Sequence, residues 1–204
     1  MIDHDTIEVI EKAVETLKQG GIVLAPTDTV WGLMCDFANE EAVSSIYAIK
    51  RSPLKPLAIL ADSIEMTDTL KVEMSINARI IAEAYWPGPL TLIFRSEYEG
   101  IGHIAGENNS IGIRVPDNEE LREMIKWFGR PIAATSANIS GQGQPHKFED
   151  IPDEITTSAD MICRFPAETT GTASTVVDCT GEVFKIIREG EISMDKLQEA
   201  VGKR

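Results

Sequence analysis

Apolar and polar positions alternate in two distinct periods along this chain. Ile7, Ile10, Val14 and Leu17 recur at helical spacing and predict an amphipathic first helix. Asp5 is its expected cap, with Glu8 at the capping-box distance, and Gly20 and Gly21 end it. Ile22 to Ala25 is a short apolar run closed by Pro26, which reads as a buried strand. A second run, Val30 to Met34, follows the polar turn Thr27-Asp28-Thr29. Helical spacing returns over Glu40 to Lys50, where Val43, Ile46 and Tyr47 face inward, and again over Asn77 to Tyr85, Glu119 to Phe128 and Met194 to Val201. Between them, strands are expected at Leu57 to Leu60, Leu90 to Phe94, Ile111 to Val115, Pro131 to Ala134, Thr175 to Asp178 and Val183 to Ile187. Residues 95–109 and 135–146 read as polar loops.

Helices alternating with short buried strands, without an internal repeat or a low-complexity linker, predict an α/β fold on a mixed, twisted sheet. A length of 204 residues suits one domain spanning 1–204, with a sizeable core. Charge narrows the functional classes. The formal net charge is -14, from 33 acids against 19 bases. A free-standing nucleic-acid binder carries a basic stripe, because neutralising phosphates supplies most of its affinity. No such surplus exists here, so no strong direct nucleic-acid binding is expected, although a basic pocket for a small phosphorylated ligand remains compatible.

Cys35, Cys163 and Cys179 are odd in number and form no Cys-x-x-Cys pair, as expected of reduced, buried thiols. The first residues include Asp3, His4 and Asp5 with no apolar run behind them, and no stretch approaches a membrane span. A cytoplasmic location without membrane attachment is expected. Several common chemistries are absent. There is no phosphate loop of the Gly-x4-Gly-Lys type and no Gly-x-Ser-x-Gly elbow. The Gly100, Gly102, Gly106 series has one residue too many for a dinucleotide fingerprint, and His4, His103 and His146 lack metal-ligand spacing. Without an evident nucleophile or proton shuttle, chemistry would rest on positioning and charge stabilisation.

Five polar clusters sit beside the predicted strands, where α/β folds place ligands. They are Pro26-Thr27-Asp28-Thr29-Val30-Trp31-Gly32-Leu33; Lys50-Arg51-Ser52-Pro53-Leu54-Lys55-Pro56-Leu57, with three cations in six residues; Ser110 to Pro116, containing Arg114; Thr135-Ser136-Ala137-Asn138-Ile139-Ser140-Gly141; and Gly171 to Asp178, followed by Arg188-Glu189-Gly190. Each alone has an ordinary structural explanation, such as an Asx turn or a solvated helix end.

In their joint order the clusters resemble the threonylcarbamoyl-AMP synthases, the YrdC/Sua5 family, from about Gly20 to Gly190. Trp86-Pro87-Gly88-Pro89-Leu90-Thr91 belongs to the same likeness. The resemblance implies a YrdC-like domain, its twisted mixed sheet flanked by helices around a large concave cleft. It implies formation of L-threonylcarbamoyl-AMP and pyrophosphate from L-threonine, bicarbonate or CO2, and ATP. Mg2+ would come with ATP, with no metal ligands from the protein. The product would serve t6A modification of tRNA through a separate transferase complex. Carried onto this chain, Thr29, Arg114 and Ser174 would contact threonine. Lys50 and Arg51 would be catalytic and would also hold ATP, together with Lys55, Ser110, Ser136, Asn138, Gln144 and Arg188.

Two positions depart from the family pattern. The family's Lys-x-Arg reads Lys50-Arg51 here, so either a shortened loop gives Arg51 the arginine's role or Ser52 stands in its place. Leu60 stands where some members have histidine. The chain resembles the short branch without an extra C-terminal domain. Alternatives are a YciO-like paralogue that binds nucleotide with different chemistry, a non-catalytic RNA-binding module, and carbamoyl transfer as in larger maturation proteins.

Overall fold

The computed structural model describes residues 2–51, 56–166 and 169–202. Helix α1 (His4–Lys18) starts two residues earlier than the capping pattern suggested. Asp3, in extended backbone, accepts a hydrogen bond from the Thr6 amide at 2.8 Å and is the true cap, while Asp5 sits inside the first turn. Its face of Ile10, Ala13, Val14 and Leu17 is buried. The hairpin β1 (Val23–Pro26) and β2 (Trp31–Asp36) follows, every residue of it buried. The remaining elements are α2 (Glu40–Ile49), β3 (Ala58–Leu60), the short α3 (Ile64–Thr67), α4 (Ile76–Tyr85), β4 (Leu90–Arg95), β5 (Ser110–Arg114) and α5 (Glu119–Phe128). Then come β6 (Ile132–Ser136), α6 (Asp153–Ser158), β7 (Met161–Ile162), β8 (Thr175–Asp178), β9 (Lys185–Arg188) and α7 (Met194–Gly202).

Among the described residues, nine strands form one mixed sheet in the order β7-β1-β2-β6-β3-β5-β4-β8-β9. Strand alternation divides its two faces by residue size. One face carries Leu33, Cys35, Ile59, Ile111, Ile113, Leu92, Phe94 and Val177, buried under α2, α4 and α7. On the other face, α1 and α5 cover Val23, Ala25, Ile132 and Ala134. Beyond those helices the same face carries Gly32, Ala58, Gly112 and Thr91, and there it is left concave.

The strand expected at Val183 to Ile187 is displaced to Lys185–Arg188, because Val183 stays in the turn, 82% exposed. The polar loop after Ala134 begins later, since Thr135 and Ser136 pair with β2. The Gly100 to Gly106 segment forms tight turns that lead into β5, not the strand-to-helix turn a dinucleotide loop needs. Residues 64–67, 153–158 and 161–162 form elements too short to produce a periodic signal. Among the described residues, no helix is long and apolar enough to cross a membrane. The three cysteines are free and buried, and burial pushes each thiol up to about 12, which leaves them inert as nucleophiles.

Candidate active-site cleft

The concave half of the sheet encloses a cavity of about 330 Å³. Its depth comes from missing side chains. A Cβ at Gly112 would sit 3.1 Å from the Thr91 methyl, and one at Gly32 would sit 3.2 Å from the end of Met34. The registers align Met34, Ala134, Ala58, Gly112 and Ile93 in one row across five strands. This row is the apolar floor. The polar groups stand around it on turns and strand ends.

Arg114, at the end of β5, is the most completely built of them. It is 6% exposed. Its Nε donates to the Gly88 carbonyl at 3.0 Å, Nη1 to Thr29 Oγ1 at 2.7 Å and Nη2 to Asp28 Oδ1 at 2.5 Å. A guanidinium has five N–H groups. Three are spent on the protein, which leaves one N–H on each terminal nitrogen, and Arg114 lines the cavity. Burial pulls its pKa below the ordinary value, and the Asp28 carboxylate opposes that shift.

The turn that holds Arg114 is itself over-determined. Thr27 Oγ1 accepts from the amides of Thr29 and Val30 at 3.0 and 3.1 Å, and the Thr27 amide donates to the Val30 carbonyl. Across the cavity, Ser174 Oγ lies 2.8 Å from Thr91 Oγ1, and Arg188 donates to the Ser174 carbonyl and hydroxyl, both at 3.0 Å. Arg188 is lowered first by burial and then by the charge of Arg114. Two guanidiniums sharing one cavity favour an anionic occupant. The structure thus brings Thr29, Arg114, Ser174, Arg188, Ser110, Ser136 and Gln144 to one cavity wall or another.

Lys50 and Asn138 occupy a different setting. Lys50 caps α2 and is 7% exposed. Its Nζ donates to the carbonyls of Ser136 at 2.5 Å and Asn138 at 2.8 Å, and to Asn138 Oδ1 at 3.3 Å. Asn138 Oδ1 also accepts from Ser136 Oγ at 2.6 Å, and its amide nitrogen donates to the carbonyls of Ile139 and Gln142. The Lys50 carbonyl accepts from the Ser140 amide. Neither side chain is among the groups lining the cavity. Burial lowers the Lys50 ammonium from 10.5 to about 8. Arg51, with a left-handed φ of 48°, turns outward and pairs with Glu154 at 2.6 Å on an exposed surface. Lys55 lies outside the described residues.

Sequence reasoning assigned no role to Asp28 or Thr91. Asp28 lies in the first polar cluster, but nothing in the sequence tells that the β1–β2 turn and the end of β5 meet.

Comparison with known proteins gives the family of the chain and its fold relatives. The model of the Sua5/YciO/YrdC family, described as "Telomere recombination", matches residues 15–190, and the chain belongs to that family. The threonylcarbamoyl-AMP synthase of Pyrococcus abyssi is 31% identical over 95% of this chain and 57% of the relative. The crystal structure of Pyrococcus abyssi Sua5 complexed with L-threonine superposes with a TM-score of 0.86 at 30% identity, over 95% of this chain and 57% of that one. The threonylcarbamoyl-AMP synthase of Pseudoalteromonas translucida is 30% identical over 91% of this chain and 100% of the relative. Escherichia coli YciO shares the fold, with a TM-score of 0.82 at 23% identity over 93% of each chain. The chain therefore spans little more than half of the Pyrococcus protein and all of the Pseudoalteromonas one.

Proposed function

We propose that this chain is an L-threonylcarbamoyl-AMP synthase, joining L-threonine, bicarbonate or CO2, and ATP and releasing pyrophosphate. The observation that carries the reading is Arg114: a buried guanidinium that lines a cavity, locked by Asp28, Thr29 and Gly88, with one N–H on each terminal nitrogen not used by the protein. That geometry suits a carboxylate taken bidentately. Relatives of about 30% identity carry this name, and one is solved with L-threonine.

In this reading Arg114 takes the amino acid's carboxylate, and Thr29 and Ser174 flank it. The neutral amine then adds to CO2, supplied directly or by bicarbonate with loss of water, and gives its proton to solvent; an oxygen of the resulting carbamate attacks the α-phosphorus of ATP and expels pyrophosphate. Ser110, Ser136, Gln144 and Arg188 offer hydroxyl, amide and guanidinium donors along the nucleotide's path. Magnesium would come with the nucleotide, whose phosphate oxygens the hydroxyl, amide and guanidinium donors of the lining suit. Among the described residues, no carboxylate or imidazole lines the cavity as an evident general base. The rate comes from juxtaposing three substrates in a cavity with two cations. The product then passes to the transferase step of tRNA t6A formation.

A second reading is kept by one observation. Arg51 leaves the cleft for Glu154, and Lys50 spends its donors on the 136–138 turn. That arrangement suits a YciO-like paralogue that binds nucleotide without this chemistry. Pyrophosphate release from ATP, Mg2+ and bicarbonate, with and without L-threonine, separates the two. Threonine-dependent release with a threonylcarbamoyl-AMP mass supports the synthase. Nucleotide binding without product supports the paralogue.

A further inference from the structure

The segment 169–174 lies between the turn that holds Arg114 and the loop that carries Gln144, and backbone hydrogen bonds tie it to the first. The amides of Thr170 and Gly171 donate to the carbonyls of Asp28 and Thr29 at 2.9 and 2.8 Å. Those are the two residues whose side chains hold Arg114. Three residues later the segment delivers Ser174 to the cavity. On its other side it meets the loop that carries Gln144. The Thr169 hydroxyl donates to the His146 carbonyl, and Gly171, at φ 75°, lies so close under His146 that an added Cβ would land on the imidazole. The Pro145 carbonyl ties the same loop to β2 through the Trp31 amide at 3.2 Å. Neither His146 nor Thr169 lines the cavity.

We propose that His146 and Thr169 are positioning residues that couple the two substrate sites: seating a nucleotide against the Gln144 loop sets the 169–174 segment, and with it Thr29 and Ser174, for the amino acid. The inference rests on the synthase reading. The physical basis is that, among the described residues, the loop and the segment meet through the Thr169 hydrogen bond and the close approach of the His146 imidazole to Gly171, both separate from the cavity lining. Coupling between sites is reciprocal, so each ligand tightens the other by the same factor.

The test is calorimetric titration of the full chain with L-threonine, with and without saturating α,β-methylene-ATP and Mg2+. The expected result is that the analogue tightens threonine at least about fivefold in the parent protein. In the Thr169→Val/His146→Ala variant the tightening falls below about twofold, while threonine alone binds within about threefold of the parent. A role confined to folding would lower the melting temperature and leave the coupling factor intact. Gly171→Ala supplies a second arm: the added methyl overlaps the imidazole and weakens threonine binding, and adding His146→Ala partly restores that affinity while coupling stays below about twofold. Independent binding in the parent, or undiminished coupling in the double variant, overturns the inference and leaves the synthase reading standing. Absence of threonine binding with nucleotide binding retained overturns both.

Discussion

The Arg114 corner and the Lys50 corner use the same materials to opposite ends. Each sets a long cation among oxygen acceptors, within two elements of the cleft floor. Arg114 keeps a free N–H on each terminal nitrogen after three protein contacts. Lys50 has three N–H groups and three acceptors, so none is left over. The guanidinium's extra donors let one residue be both structural and presented to a ligand, whereas the ammonium here is consumed in bracing the 136–140 turn. Whether a buried cation can serve a substrate depends on what remains after the fold has drawn on it.

Arg114→Ala breaks this comparison hardest. Threonine-dependent pyrophosphate release should fall by at least about a hundredfold, the size expected when a charged, bidentate contact is lost. The stranded Asp28 should cost about 3–5 kcal/mol in urea unfolding. Adding Asp28→Ala should restore much of the stability and none of the activity. Activity retained in Arg114→Ala would sink the carboxylate assignment.

Lys50→Met should act mainly through the fold. The Ser136 and Asn138 carbonyls lose a charged donor, at about 1–3 kcal/mol for each group left unsatisfied. Steady-state kinetics should show KM for ATP rising through the displaced Ser136 turn. A normal turn with kcat alone lost would instead place the ammonium on the substrate.

Lys50 also predicts a pH signature. Its pKa is depressed in the fold, to about 8 from 10.5. Between those values the unfolded chain holds a proton that the folded chain has released, so stability should rise with pH there. The contribution is up to about 1.4 kcal/mol per pH unit. Urea midpoints across this range should carry that slope in the parent and lose it in Lys50→Met. Ser174→Ala removes a hydroxyl shared by Thr91 and Arg188, and should raise KM for threonine several-fold, about 1 kcal/mol. Arg51→Ala is the smallest change. An exposed pair with Glu154 is worth under about 1 kcal/mol, and activity should stay within about twofold. A tenfold loss would show that Arg51 returns to the cleft during turnover.

The long elements were readable because burial imposes period. Ile10, Val14 and Leu17 repeat because α1 packs one face, and β1 and β2 read as apolar runs because both their faces are covered. Short elements such as Met161–Ile162 carry no period and were missed. Site residues were legible as clusters, but their directions were not. Nothing local distinguishes Arg114, aimed into the cavity, from Arg51, aimed at Glu154. That choice is made by residues far along the chain: Asp28 for one, and α6 for the other. Asp3 rather than Asp5 as the cap reflects the same limit, since either fits the spacing and backbone geometry decides.

The strand order has a consequence for how the protein must be made. The β1–β2 hairpin emerges first, yet the outer edge of β1 is covered by Met161–Ile162, nearly 140 residues later. The inner edge of β2 waits for Ile132–Ser136. A nascent chain therefore exposes two bare, apolar strand edges through much of its synthesis, a state prone to pairing with other chains. Slower elongation or missing chaperone capacity should then reduce soluble yield before any change in the finished molecule's stability is felt.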